Sequence, residues 1–229
     1  MSINPNIAEV ASLLAEPSRA TILTSLMDGR FHTASELALM TGITPQTASF
    51  HLSKLIEGRL ITFEKHGRHR YYQLANQDIA SILESFLTLS SPPEVRSLRQ
   101  SSQVQSLREA RTCYDHLAGK LGVDLTDAML ANQYITTGEK EFIVTAKGEV
   151  FFAHFGLDLY MLKRKRRAFS HACLDWSERR HHLGGALGQA LLNQLFDLGW
   201  IIRVPSIRAV QVTEQGTQGL KSVFDLYLD

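Results

Sequence analysis

Cysteine is scarce in this chain, with two residues in 229, and proline, with six, is hardly more abundant. Two cysteines cannot build a disulfide framework, which leaves core packing, a redox pair or metal ligation for them. No apolar run is long enough to cross a bilayer and the N-terminus has no signal-peptide pattern, so a soluble, cytoplasmic protein without a membrane partner is expected. There is no nucleotide-binding glycine-rich loop, no nucleophile elbow and no His-Glu-x-x-His helix, so an enzyme is not expected. A grouping of Cys113, Asp115 and His116 does not alter this, because an Asp and a His adjacent on a helix point to different faces. Charge of one sign is also lacking: the formal net charge is +1, and residues 1–90 carry seven Lys or Arg against eight Asp or Glu. With 44% hydrophobic residues, the length suits one or two domains with packed cores.

What positive charge there is lies concentrated. Within residues 54–70 five basic residues face two acidic ones, with His66 and His69 beside them. The stretch 42–74 reads as a helix followed by a basic β-hairpin. Thr44 suits a helix N-cap and Pro45 the first helical position. Ala48, Leu52, Leu55 and Ile56 then fall on one face, to be buried, while Gln46, Thr47, Phe50, Ser53 and Lys54 point away, with Ser49 and His51 on the flanks. A helix entering the major groove needs short polar groups and amides near its N-terminus, where side chains meet base edges. Gln46 suits adenine, Thr47 and Ser49 are versatile, and Lys54 suits a phosphate. Gly58 can end the helix. Strands are expected over 60–65 and 70–74, joined by His66-Gly67-Arg68-His69, with Lys65, Arg68 and Arg70 at the tip where a phosphate would lie. One of Tyr71 and Tyr72 should be core. Helices over 17–28 and 35–40 precede the turn Thr41-Gly42-Ile43, completing a helix-turn-helix order.

The residues Leu14-Ala-Glu-Pro-Ser-Arg-Ala-Thr-Ile-Leu23, Glu36-Leu-Ala38, Ser49-Phe-His-Leu-Ser-Lys-Leu55 and Gly67-Arg-His-Arg-Tyr-Tyr72 resemble the ArsR-type (ArsR/SmtB) winged-helix repressors over about residues 7–90. The resemblance implies a homodimeric repressor that leaves its operator on binding an effector. Metal sensors of that family often carry a thiolate pair on the helix before the reading helix, or Asp and His ligands on the helix after the wing. Here Ser35–Met40 has no Cys and the helix from Asp78 no His, so neither familiar metal site is present.

Beyond the wing, a helix over 78–89 carries Ile79, Ile82, Leu83, Phe86 and Leu87, an apolar stripe wide enough to include a dimer seam. Ser90-Ser-Pro-Pro93 breaks the pattern. A long helix is then expected from about Gln103 to Gly119 or Lys120, putting Cys113 and His116 on one face at i and i+3. Further helices are expected over 125–134 and 177–198. Phe142–Gly148 and Val210–Gly216 share a strand ending at a Thr, Thr145 or Thr213, that can cap the next helix. This faint repeat suggests a winged-helix-like second domain. The Cys-Tyr-Asp-His-Leu-Ala-Gly and Cys-Leu-Asp-Trp-x-Glu-Arg-Arg runs look like a longer ArsR-type subgroup.

Three readings of those runs stand side by side. One is a pocket for an organic anion, with Arg179, Arg180, His181 and His182 at a helix start and Tyr114 and Trp176 on its apolar side. The second is a thiol or soft-metal site of Cys113, His116 and Cys173, with His181 or His182 added. The third is purely structural, with Asp175 and Glu178 as a capping box. The run Lys163–Arg167 reads as a solvated basic helix face, with extra phosphate contacts as the alternative if the second domain lies near DNA. The expected architecture is mainly α with small β-hairpins: a winged helix-turn-helix over 1–90, a linker over 91–102, and an effector or dimerisation domain over 103–229. The expected function is an effector-responsive homodimeric repressor. It would bind a double-stranded DNA operator and respond to a small molecule, an oxidant or a metal, with no cofactor needed for DNA binding. A constitutive DNA-binding protein whose second domain only mediates association is the alternative.

Overall fold

The computed structural model describes residues 5–228, so residues 1–4 and 229 of the expected domain ranges lie outside it. Residues 1–86 and 87–229 form two compact units.

The first unit runs α1 (Ile7–Leu14), α2 (Pro17–Ser25), β1 (His32–Thr33), α3 (Ala34–Thr41), α4 (Pro45–Glu57), β2 (Ile61–His66), β3 (His69–Leu74) and α5 (Gln77–Leu89), the last crossing into the second unit. The starts of α2, α3 and α4 have local causes. The Glu16 carboxylate accepts from the Ser18 and Arg19 amides at 3.1 and 2.7 Å, with Pro17 at the first position of α2. Thr33 and Glu36 form a capping box on α3. Gly42, at φ +69°, turns the chain out of α3, and Thr44 Oγ1 then accepts from the Thr47 amide at 3.2 Å to start α4. The strands pair antiparallel in the order β1-β3-β2. Ile22, Leu23, Leu37, Ala48, Leu52, Leu55, Ile61, Tyr72 and Leu74 are buried beneath them, each large side chain contributing about 1.5–3 kcal/mol. Of the two wing tyrosines, Tyr72 is the core residue.

The second unit begins with α6 (Leu98–Glu109), which starts inside the stretch expected as a linker. After it the same sequence of elements occurs twice. The first copy is the hairpin β4 (Arg111–Cys113) and β5 (His116–Ala118), helix α7 (Gly119–Ala131), the hairpin β6 (Ile135–Thr137) and β7 (Phe142–Val144), and helix α8 (Ala146–His154). A short helix, α9 (Leu159–Lys163), intervenes. The second copy is β8 (His171–Leu174) and β9 (His181–Gly184), α10 (Gly185–Asp197), β10 (Ile201–Arg203) and β11 (Val210–Val212), and α11 (Glu214–Phe224). The two copies agree in detail. Gly119 and Gly185, both at φ +78°, open α7 and α10. Thr145 caps α8 through the Gly148 amide at 3.0 Å, and Thr213 caps α11 through the Gly216 amide at 2.9 Å. The glycine of each Thr-x-x-Gly is required for space: a Cβ on Gly148 would lie 1.8 Å from the Tyr134 carbonyl oxygen, and one on Gly216 1.9 Å from that of Trp200. The faint repeat in the sequence is therefore the second half of a longer duplicated unit.

The copies interlock. Strand β5 of the first packs against α10 of the second, and β9 of the second against α7 of the first. Their shared core holds Leu121, Leu125, Met129, Phe152, Leu187, Leu191, Leu195 and Phe224. Two expectations are corrected here. The helix expected from Gln103 to Gly119 ends at Glu109, and the helix expected from Ser177 starts only at Gly185, because a β-hairpin takes each place. The left-handed Tyr114, at φ 58° in the turn, is incompatible with a helix continuing through it.

Candidate functional site

Helix α4 turns Ala48, Leu52 and Leu55 inward and leaves Thr44, Gln46, Thr47, Ser49, Phe50, Ser53 and Lys54 exposed. Two of the hydroxyls also serve the helix: Ser49 Oγ donates to the Pro45 carbonyl at 2.9 Å and Ser53 Oγ to that of Ser49 at 3.0 Å. Lys54 Nζ lies 2.8 Å from Glu57 on the exposed surface. His51 is the exception among the candidates. It is buried, with Nδ1 3.5 Å from the Glu16 carboxylate, because its position completes the inward face. It is withdrawn from the base-contacting set. At the wing, Gly67, at φ +60°, and Arg68 form the turn, and Lys65, Arg68 and Arg70 are exposed. Lys65 and Arg70 are direct cross-strand partners. Like charges placed so destabilise a hairpin. Arg70 also lies over the Phe63 ring at 4.8 Å.

The second unit gathers a different chemistry. Cys113 and His116 are register partners across β4 and β5, and Cys173 and His182 are register partners across β8 and β9. Cross-strand partners share one face, so each hairpin presents a Cys–His pair, and the interlocking brings the pairs together. The two sulfurs lie 3.9 Å apart and the two Nε2 atoms 3.1 Å apart. All four ligand atoms fall within 4.8 Å of one another. The cluster is buried and the thiols are not joined in a disulfide. Gly184 makes the room, since a Cβ there would come within 3.2 Å of His116 Nε2.

Around the cluster is a shell of charge, fully buried at Arg111 and Asp175 and half-buried at Asp115 and Arg167. His116 Nδ1 faces Asp115 Oδ1 at 3.3 Å and His182 Nδ1 faces Asp175 Oδ2 at 3.4 Å. Arg167 and, at 3.1 Å, Gln189 donate to Asp115. Asp175 accepts from Arg111 Nη2 at 2.9 Å, the Gly119 amide at 2.7 Å, the Ser177 amide and hydroxyl at 2.9 and 2.7 Å, and the Glu178 amide at 3.1 Å. Arg111 in turn lies over the Trp176 ring at 4.3 Å. Burial alone would raise the Asp175 pKa, but Arg111 and these donors outweigh it and hold the carboxyl well below its ordinary value. Burial also opposes charge on His116, yet the neighbouring Cys113 sulfur and Asp115 push its pKa up to about 10. Burial, with His116 beside it, pushes His182 well below 6.5.

Several expectations change. Cys113 and His116 do share a face, but across a hairpin and not along a helix. On the hairpin Asp115 and His116 are not on separate faces: their side chains meet at 3.3 Å. Arg179, Arg180, His181 and His182 are not at a helix start: Arg179 is in a left-handed turn at φ 57°, Arg180 pairs with Asp127, His181 is exposed, and His182 turns into the cluster. Tyr114 is in the β4–β5 turn and Trp176 against Arg111, so these residues do not line one anion pocket. Surface hollows of about 580 and 470 Å³ are lined elsewhere, by residues such as Asp158 and Lys163 or Lys120 and Asp124. Asp175 does cap the Ser177 and Glu178 amides, but in a loop rather than at a helix. Arg167, read as part of a solvated basic run, is tied to Asp115. Sequence reasoning missed Arg111, Asp115 and Arg167 as supports and left His182 among alternatives. The signal available was Cys-x-Asp occurring twice.

Residues 14–62 match a family of helix-turn-helix domains. The HTH-type transcriptional regulator YdfF of Bacillus subtilis (strain 168) is 48% identical over 227 residues, covering 99% of both chains. A solved fragment, residues 1–100, of a possible transcriptional regulatory protein from Mycobacterium bovis is 29% identical. It covers 36% of this chain and 88% of its own, with a TM-score of 0.34. The cadmium metal-sensor CMTR from Mycobacterium tuberculosis is 30% identical, covering 39% and 98%, with a TM-score of 0.32.

Proposed function

This chain belongs to the HTH-type transcriptional regulators, with the ArsR-type winged helix expected from its sequence, and from that premise we propose that it acts as a homodimeric, effector-responsive repressor reading a palindromic operator through α4. The observation that carries the reading is the exposed polar face of α4 followed in sequence by a wing that keeps Lys65 opposite Arg70. A pairing that weakens the hairpin by itself is relieved when phosphate lies between the two cations. Gln46 is suited to a bidentate contact with adenine, and Thr47 and Ser49 to base edges or phosphate. Lys54, Ser53 and the wing cations grip the backbone, and Thr44 holds the helix start in place.

Dimerisation is supported by apolar residues left on the surface of the first unit. Ile7 and Val10 of α1 and Ile82 and Phe86 of α5 are exposed. A dimer joined through such faces would read two half-sites if its two α4 helices stand about one DNA turn apart, about 34 Å. An effector that binds better to one arrangement of the dimer would change operator affinity by that preference. No helix among the described residues is long and apolar enough to cross a membrane.

The test is selection of bound duplexes from a random pool by the full-length protein. The reading expects enrichment of an inverted repeat with half-sites about one turn apart. Recovery of sequences with no shared motif would defeat it.

A further inference from the structure

The Cys/His cluster makes a demand that the DNA-binding reading does not meet. Four electron-pair donors, two sulfurs and two imidazole nitrogens, converge in a buried space from two hairpins that are distant in sequence. Their spacing can be compared with a tetrahedron around zinc. Bond lengths of about 2.3 Å to sulfur and 2.0–2.1 Å to nitrogen give edges of about 3.8 Å between sulfurs and about 3.3 Å between nitrogens. The observed separations are 3.9 and 3.1 Å, and all four atoms lie within 4.8 Å, so the sulfur–nitrogen edges have at most about 1.3 Å to close to the tetrahedral value of about 3.5 Å.

The surroundings fit as well. A metal-bound imidazole usually turns its other nitrogen to a carboxylate, which orients the ring and leaves the facing nitrogen free to bind. Here His116 Nδ1 has that partner in Asp115, and His182 Nδ1 has a carboxylate oxygen of Asp175 3.4 Å away, near but not hydrogen-bonded; each carboxylate is itself held by an arginine. Charge is compatible with a cation. With protonated sulfurs the two carboxylates balance the two guanidiniums, and with two thiolates one divalent cation restores the same neutrality, so binding buries no net charge.

We propose that Cys113, His116, Cys173 and His182 bind one divalent cation of the zinc class in a closed four-coordinate site that ties the two repeats together. All four coordination positions are filled by protein atoms, as in structural rather than catalytic zinc sites. Binding takes both sulfurs as thiolates and both rings neutral, so two protons leave to solvent. The site does not depend on the DNA-binding reading, and either can fail alone.

The test uses the full-length protein, reduced and treated with a chelator, then titrated with Zn²⁺ against a chromophoric competitor and separately with Co²⁺. One equivalent of each should bind, and the cobalt form should show sulfur-to-metal charge transfer and the intense visible bands of tetrahedral coordination. Cys173→Ser and His182→Gln should each weaken zinc binding by at least about 100-fold. Asp115→Asn, which removes only an orienting carboxylate, should weaken it by about 10–100-fold. Circular dichroism of the metal-free variants separates lost ligands from lost fold, and DNA binding of the same samples is scored independently. Absence of the cobalt–sulfur band in the wild type, zinc affinity unchanged in folded Cys173→Ser, or a Cys113–Cys173 disulfide as the resting form under reducing conditions would each overturn the proposal.

Discussion

Replacing Asp175 by alanine probes how the second unit is held together. The carboxylate is fully buried and joins Arg111, the first residue of β4, to the loop after β8 and to the first amide of α7. Its removal strands the Arg111 guanidinium, itself fully buried, and leaves the Gly119, Ser177 and Glu178 amides without their acceptor. Breaking a buried ion pair by deleting one partner costs about 3–5 kcal/mol, and each amide left unsatisfied adds about 1–3 kcal/mol where water cannot reach it. A loss of at least about 3–5 kcal/mol is expected, equivalent to roughly 6–20 °C in melting temperature for a unit of this size. Both tryptophans, Trp176 and Trp200, lie in the second unit, so tryptophan emission during urea unfolding of metal-free protein reports that unit alone. Adding Arg111→Met to Asp175→Ala should recover part of the loss, because the stranded cation is gone. The pH dependence follows from a depressed folded pKa. The Asp175 contribution is complete above the ordinary carboxylate value of 3.8 and is lost as pH falls below it toward the folded value. The gap between wild type and variant should therefore narrow below about pH 4. A loss under about 1 kcal/mol at pH 7, the scale of an exposed ion pair, would refute this account of Asp175 as the hub of the unit.

Arg68→Ala with Arg70→Ala should weaken binding to all duplexes and reduce the salt slope by about 1.8 if each cation meets one phosphate; an unchanged slope in filter binding or anisotropy removes the wing from the interface. Gly216→Ala forces a Cβ against the Trp200 carbonyl and should cost about 3 kcal/mol or more, read in the same tryptophan-monitored unfolding; a neutral result would contradict the packing of α11. Phe86→Asp, on the exposed side of α5, should shift sedimentation toward monomer, and a dimer of undiminished affinity would place the seam elsewhere.

The first unit was largely legible because its helices announce themselves. Thr44-Pro45, Gly58 and the inward spacing of Ala48, Leu52 and Leu55 bound a 13-residue helix, long enough for periodicity to be read. His51 was misplaced because a residue on the edge of an apolar face is decided by what packs there, in this case Glu16. The second unit was harder. Its strands are three or four residues long, too short for alternation to register, and Cys113 and His116 at i and i+3 fit a helix face as well as a two-residue turn. What assembles the cluster is pairing across great sequence distance, such as Arg111 with Asp175, 64 residues apart. Local pattern carries no trace of such a pair. The duplicated Cys-x-Asp and Thr-x-x-Gly were visible, but their meaning depends on hairpins of one repeat packing on helices of the other.

The central claim is that α4 reads bases. Its most direct test is the affinity of the wild type and of Gln46→Ala for a selected operator and for a scrambled duplex at one salt concentration. A specific contact predicts that Gln46→Ala loses about 1–3 kcal/mol on the operator, roughly 5- to 150-fold, with binding to the scrambled duplex almost unchanged. Equal losses on both duplexes, or none on either, would contradict it.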